Sequence, residues 1–264
     1  MLDEARPGAR TTWPELRTLV REQEPQLSAP APAGSDPAVP PLCAICRGPS
    51  APGCVRCYAC ELHRQCAPDG LADSVVPIAF AIKGGPHARR LWQYKSQRLP
   101  SAGVGSAEAM LRALLLVFLR DHGACVWRAA ASARPTHLAV VPTGRGRPGM
   151  HPLRALIAAY VAMPWADLAA RPGSDQVRDL DPDRFTAAPV PGGRILLIDD
   201  TWTTGSSVQS AAMALRQAGA AAVAAVVLGR HLSRAAAETA ALGPAGMPFQ
   251  MASCAVHRDK DVGR

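Results

Sequence analysis

The sequence predicts an α/β protein in which a mostly parallel, twisted sheet is flanked by helices and preceded by a small N-terminal zinc-binding module. Three observations predict it. From Thr136 onward, aliphatic runs of strand length alternate with helix-period segments, the pattern of βαβ crossovers. One of those runs, Ile195-Leu196-Leu197-Ile198, stops at two adjacent carboxylates, Asp199 and Asp200, ahead of a hydroxyl-rich turn. Upstream, Cys43-x2-Cys46 and Cys54-x2-Cys57 are separated by seven residues, a spacing suited to tetrahedral thiolate coordination.

A chain of 264 residues suffices for one such core and a small appendage. With 48% hydrophobic and 19% charged residues it is neither fibrous nor disordered, and its 5% aromatic content is poor in rings that stack bases. Lys and Arg number 29 against 21 Asp and Glu, a formal charge of +8, which favours anionic partners. All of that positive charge except Lys83, Lys95 and Lys260 is arginine. The opening Met1-Leu2-Asp3-Glu4 has no basic flank before an apolar run, so no secretory signal is read. Ala107 to Leu119 and Ala211 to Leu228 are interrupted by Arg112 and by Arg216, Gln217 and Gly219, which suits buried elements better than membrane spans. A cytoplasmic protein with no membrane partner is expected. In that reducing setting, six cysteines between Cys43 and Cys66 argue for metal rather than disulfides.

Taken in order, residues 1–41 form a Pro/Ala-rich flexible tail, 42–72 the cysteine-rich module and 73–264 the main domain. Within the tail, Thr12-Trp13-Pro14-Glu15 has capping-box spacing, and Trp13, Leu16, Leu19 and Val20 recur at helical intervals, which marks a short docking helix. Val75 to Ile82 reads as a buried strand and Ser106 to Arg120 as a helix apolar on every side. Strands follow at Thr136 to Val141, Arg194 to Ile198 and Ala222 to Leu228, with helices at Pro152 to Ala162, Ser206 to Ala218 and Ser233 to Leu242. Arg171 to Gly193 breaks the rhythm with Pro, Gly, Asp and Arg, as a functional flap would.

The acid pair and the turn after it carry the chemistry. Thr201, Thr203, Thr204, Gly205, Ser206 and Ser207 lie where free N–H groups gather at a helix start, so their amides and hydroxyls can wrap a phosphate. Gly205 lets an anion approach the backbone. Asp199 and Asp200 make sense at a strand end if they accept hydrogen bonds from sugar hydroxyls or from water on a cation. A helix cap would explain one such residue, whereas Asp200 to Ser207 spends seven polar or glycine positions around Trp202. A phosphorylated sugar satisfies both halves.

The run Ile195 to Ser207 resembles the signature of type I phosphoribosyltransferases. That resemblance implies that Asp199 and Asp200, the residues it would make catalytic, hold the ribose hydroxyls of phosphoribosyl pyrophosphate, and that Thr203 to Ser207 hold its 5-phosphate. Mg2+ would accompany the pyrophosphate, and a nitrogenous acceptor would displace it. With the cysteine module ahead of it, the chain is similar to the competence protein F-like (ComF) family, which carries four N-terminal cysteines and the acid-pair motif. Lys83 to Lys95 looks like that family's basic Lys-Tyr-Lys region. The resemblance covers roughly residues 42–230. It departs after Val141-Pro142, where the family's Arg-Gly-Phe-Asn-type run is replaced by Thr143-Gly144-Arg145-Gly146-Arg147.

That segment is a second anion loop at the same sheet edge, with Thr143, Gly144 and Arg145 as its binding residues. No acid occurs from His122 to Ala166 or from Ser74 to Ala107, and in the second stretch Lys83, Arg89 and Lys95 are candidates to face phosphate. His137, His151 and His231 have no spacing that marks a general base. For a structural Zn2+ the ligand set is Cys43, Cys46, Cys54 and Cys57, with Cys60, His63 and Cys66 as alternatives at three-residue spacing. Cys125 and Cys254 read as buried apolar cysteines. A second function of another class fits the same features: a non-catalytic phosphoribosyl pyrophosphate sensor, or a competence-related protein, whose zinc module and basic surface engage nucleic acid or a protein partner. A homo-oligomer is compatible with either.

Overall fold

The computed structural model describes residues 11–30, 42–96, 100–143, 150–173, 179–239 and 248–256. Its centre is a four-stranded, wholly parallel sheet in the order β1, β6, β5, β2, with β1 at Ser74–Ile82, β2 at His137–Val140, β5 at Arg194–Trp202 and β6 at Ala222–Leu232. The aliphatic β5 is central because both its faces must be covered. Leu196 and Ile198 join one buried cluster, whereas Ile195 and Leu197 join the other.

The first cluster is built around α4 (Ser101–Ala129), which packs on β1 and β6 and against α1 (Trp13–Gln23), α3 (Pro86–Gln93) and α5 (Pro152–Ile157). At 29 residues, α4 is long and apolar enough to cross a membrane, yet half of its most apolar window is buried inside the fold. It exceeds the expected Ser106 to Arg120 at both ends: the C-terminal extension is buried at His122, Gly123, Val126 and Trp127, whereas the N-terminal turn with Gly103 and Gly105 is exposed. The second cluster lies under α6 (Ser206–Gln217) and the cysteine module, whose Cys43, Cys46 and Cys60 are part of it.

The stretch expected to be a tail holds α1. Its Thr12 backbone N–H donates to Glu15 Oε2 at 2.6 Å, and Leu16 and Val20 are buried against α4. Between α5 and β5, a two-stranded antiparallel ribbon pairs β3 (Leu168–Ala170) with β4 (Phe185–Ala187). This corrects part of the expected flap. Phe185 and Val190 are buried, β4 packs on α6, and the Asp181 amide donates to Ser210 Oγ at 3.0 Å, so 179–190 is fastened down rather than poised to close. The remaining helices are α2 (Tyr58–Cys66) in the cysteine module and α7 (Arg234–Thr239) after β6.

Candidate functional site

All four strands point their carboxyl ends to one edge, where a doubly covered α/β sheet presents its ligand site. β5 runs through the acid pair rather than stopping before it, with Asp199 paired to Val227 and Thr201 to Gly229 of β6. Ladder pairing fixes the backbone on which both carboxylates stand.

The two acids have different surroundings. Asp200 is buried and accepts a hydrogen bond from the Tyr94 hydroxyl and an ion-paired one from Lys95 Nζ at 2.6 Å. Burial alone would raise its proton affinity, but the Lys95 charge and these bonds outweigh it and hold the carboxyl below the usual range. Asp199 is half-buried, and its Oδ1 accepts the Asp200 amide at 2.8 Å. Burial first, and then the Asp200 charge, push it up to about 8, with Lys95 and Arg184 pulling the other way. Of the two, Asp200 is therefore the one whose charge is favoured, and Asp199 the one that takes up a proton more readily.

Tyr94 and Lys95 were not among the residues assigned to the sugar site, although Lys95 stood out as a candidate phosphate contact. Gly229 explains how they arrive: a Cβ there would lie 2.5 Å from Leu91 Cδ1 and 2.9 Å from Ala81 Cβ, so only glycine lets α3 close onto β6 and bring its C-terminal end over β5.

Because its proton is held more tightly folded than unfolded, where an aspartate titrates at about 3.9, Asp199 makes the fold less stable as pH rises from about 4 toward about 8. Asp199→Asn is accordingly expected to gain on the natural chain by up to about 1.4 kcal/mol per pH unit within that window. Urea unfolding at pH 5 and pH 8 checks this. A stability gap that does not widen between them contradicts it.

Beyond Trp202 the chain turns into α6. Gly205 caps the helix at φ +93°, Thr203 and Thr204 are exposed, and Thr201 and Ser207 are half-buried. Thr204 Oγ1 lies 3.1 Å from the buried Ser206 Oγ, and the Gln209 amide already bonds the Gly205 carbonyl at 2.9 Å. The Ser206 amide donates to Thr204 Oγ1 at 3.5 Å, and helix geometry directs the amides of Ser207 and Val208 out of the helix start, as an anion cradle requires. Thr143 follows β2, the neighbour of β5, so it stands at the same edge; Gly144 and Arg145 lie outside the described residues.

The cysteine module gathers Cys43, Cys46, Cys57 and Cys60, whose Sγ atoms all lie within 4.8 Å of one another. Cys54, an expected ligand, is instead exposed and outside the group, and Cys60 takes its place. Cys54-x2-Cys57 and Cys57-x2-Cys60 have the same spacing, but Cys57 caps α2, so the first helical turn swings Cys60 inward beside it. Sγ of Cys46 and Cys57 are 3.8 Å apart, equal to the edge of a tetrahedron with metal–sulfur bonds of about 2.3 Å. Cys43 is pushed down chiefly by the hydrogen bond from Cys46, and Cys60 is pushed up chiefly by its bond to Cys43. Arg47 packs beside them, donating from Nε to the Ala255 carbonyl at 3.1 Å. Four thiols converging in a buried place fit Zn2+. His63, buried nearby, is not one of the four.

Cys125 and Cys254 are buried as expected, and lie within 4.8 Å of His122 and of each other. Burial, followed by the nearby Cys254, pushes the Cys125 thiol up to about 11.

The fold and this edge define a parallel α/β protein with an acid-pair strand end and a four-cysteine cluster. No protein-family model matches the chain, and no curated protein matches it significantly. Among solved structures it is similar to orotate phosphoribosyltransferase of Mycobacterium tuberculosis H37Rv, crystallised with inorganic phosphate. The identity is 18% over 64% of this chain and 88% of that one, with a TM-score of 0.31. So distant a likeness bears no weight below; the geometry at the end of β5 does.

Proposed function

We propose that the chain binds phosphoribosyl pyrophosphate with Mg2+ and transfers the phosphoribosyl group to a nitrogen nucleophile, releasing pyrophosphate. The observation that supports this reading is the β5–α6 junction. Two carboxylates of opposite protonation preference stand on a fixed strand, and the next turn offers glycine, hydroxyls and helix-start amides. In this reading the carboxylates take the vicinal ribose hydroxyls and Thr203 to Ser207 the 5-phosphate, with Thr143, Gly144 and Arg145 assigned to the pyrophosphate. Structural Zn2+ at Cys43, Cys46, Cys57 and Cys60 completes the protein, the combination that the competence protein F-like resemblance implies.

In the transfer, the bond from ribose C1 to the pyrophosphate oxygen breaks with its electron pair leaving on that oxygen. The nitrogen lone pair forms the new C1–N bond, and the nitrogen's proton passes to the released pyrophosphate or to water. Mg2+ bound with the pyrophosphate would neutralise charge on the leaving group. The aspartates position the sugar and do not attack it. Lys95, paired with Asp200 in the free protein, is a cation at this edge that would stabilise charge on the leaving pyrophosphate.

Calorimetric titration with phosphoribosyl pyrophosphate, with and without Mg2+, tests the reading. Loss of one charged hydrogen-bonding partner is worth about 1.5–3 kcal/mol, so Asp200→Asn is expected to weaken binding roughly ten- to hundredfold while zinc content stays the same. Undiminished affinity in that variant overturns the assignment. Binding by the natural chain without pyrophosphate release in the presence of amine and base acceptors favours the sensor instead.

A further inference from the structure

We propose that Arg230 makes the grip of the phosphate turn depend on the four-cysteine cluster, so that metal at the cysteines orders Trp202 to Ser207. The ligand side of this link rests on the function proposed above; the link itself does not.

Arg230 lies in β6, opposite Trp202 of β5 and Phe80 of β1, and is buried. Its Nη1 donates to the carbonyls of Trp202 at 3.2 Å, Thr203 at 2.9 Å and His231 at 2.6 Å. Two of those carbonyls belong to the chain entering the phosphate turn. On its other side the guanidinium meets the cysteine module: a Cβ on Gly48 would lie 2.5 Å from Nη2 and 2.8 Å from Nε. The Gly48 carbonyl in turn accepts the Cys43 amide at 2.8 Å, so the peptide pressed on the guanidinium is part of the first cysteine turn. One side chain thus touches both sites.

Its electrostatics explain why the metal matters. Three carbonyl dipoles share Nη1, and the buried Nε–H has no hydrogen-bond partner among the described residues. A buried cation without a counter-charge is costly. Four thiolates around one Zn2+ carry a net negative charge and supply that counter-charge. When the metal leaves, it no longer holds the first cysteine turn, and the Gly48 peptide that backs the guanidinium is released with that turn. The guanidinium then gains by moving toward water, and the turn loses its two bonds at the Trp202 and Thr203 carbonyls. Arg230 is a positioning residue, acting on a ligand through the backbone of Trp202 and Thr203.

The test is backbone hydrogen exchange in the full chain, zinc-loaded and after removal of zinc by a chelator. The Gln209 amide, bonded to the Gly205 carbonyl, and amides 201–202 of the β5–β6 ladder are expected to exchange about tenfold faster or more without metal, in the usual range of coupling between sites, while those of β2 stay protected. In Arg230→Met, zinc still binds but the turn exchanges fast with or without it. Gly48→Ala, which pushes the guanidinium from the cysteine side, is expected to speed exchange of the turn in zinc-loaded protein, should Arg230→Met not fold. With Co2+ in the cluster, phosphoribosyl pyrophosphate and Mg2+ should shift the thiolate-to-cobalt absorption in the natural chain and not in Arg230→Met, because coupling is reciprocal. Exchange of the turn that ignores the chelator, or acceleration that is equal in β2, overturns the link. If the turn follows the metal but the sugar phosphate does not bind, the link stands and the ligand reading fails. If it binds equally well to zinc-free protein whose turn exchange is unchanged, the reverse holds.

Discussion

Cys60→Ser is expected to strip zinc from the chain, while Cys54→Ser leaves one ion per molecule. Cys60 is buried within the four-thiol group, whereas Cys54 is exposed and outside it. Structural zinc sites of this kind contribute about 10–16 kcal/mol. Divided among four ligands, the loss of one costs roughly 2.5–4 kcal/mol, or about two orders of magnitude or more in affinity. The consequence reaches past the metal, because Cys43, Cys46 and Cys60 belong to the same buried cluster as Ile195, Leu197 and Val208. Cys60→Ser should therefore also lower the thermal midpoint, by more than Cys54→Ser does. Metal analysis of both purified variants, with thermal unfolding beside it, decides the matter. Equal zinc in the two would return Cys54 to the ligand set.

Gly205→Ala is the second large effect. The residue sits at φ +93°, and a Cβ there would lie 2.0 Å from Trp202 Cζ2 and 2.4 Å from Cε2, inside the ring of a side chain that is itself fully buried. The left-handed backbone costs a non-glycine residue about 1–3 kcal/mol, and displacing a packed ring adds about 1–3 kcal/mol. Gly192→Ala separates the two: its φ is +68° with nothing within 4 Å of the added Cβ, so it bears only the backbone cost. Urea unfolding should find Gly205→Ala less stable by roughly the sum and Gly192→Ala by the first part alone. Binding of phosphoribosyl pyrophosphate should fail in Gly205→Ala even where the chain remains folded. Equal stability loss in the two variants would show that the ring yields freely.

What was legible in the chain was whatever its information places in contiguous residues. The aliphatic run of β5, its acid pair, the glycine at the start of α6 and the capping box of α1 all fell where the spacing put them. Gly205 was singled out for the approach of an anion, and the Trp202 ring lying against its Cα adds a second reason for glycine that no local pattern contains. The part of the flap reading that covers 179–190 erred for a similar cause. Phe185 and Val190 look like isolated apolar residues in a polar loop until α6 is placed beneath them. Lys95 looked like one base among several in an acid-free stretch, and its partner lies 105 residues away.

Periodicity and composition were therefore enough to assign a parallel sheet with helices on both faces and to place the acid pair on its central strand, since hydrophobic spacing acts over a few residues along the chain. Folding had to choose which of two identically spaced cysteine pairs turns inward, to give Asp200 its lysine and tyrosine, and to lay Arg230 between the thiols and the phosphate turn. Those outcomes depend on packing between segments far apart in sequence. Close approach of backbones at Gly48, Gly205 and Gly229 permits it, and the burial of charge makes each partner matter.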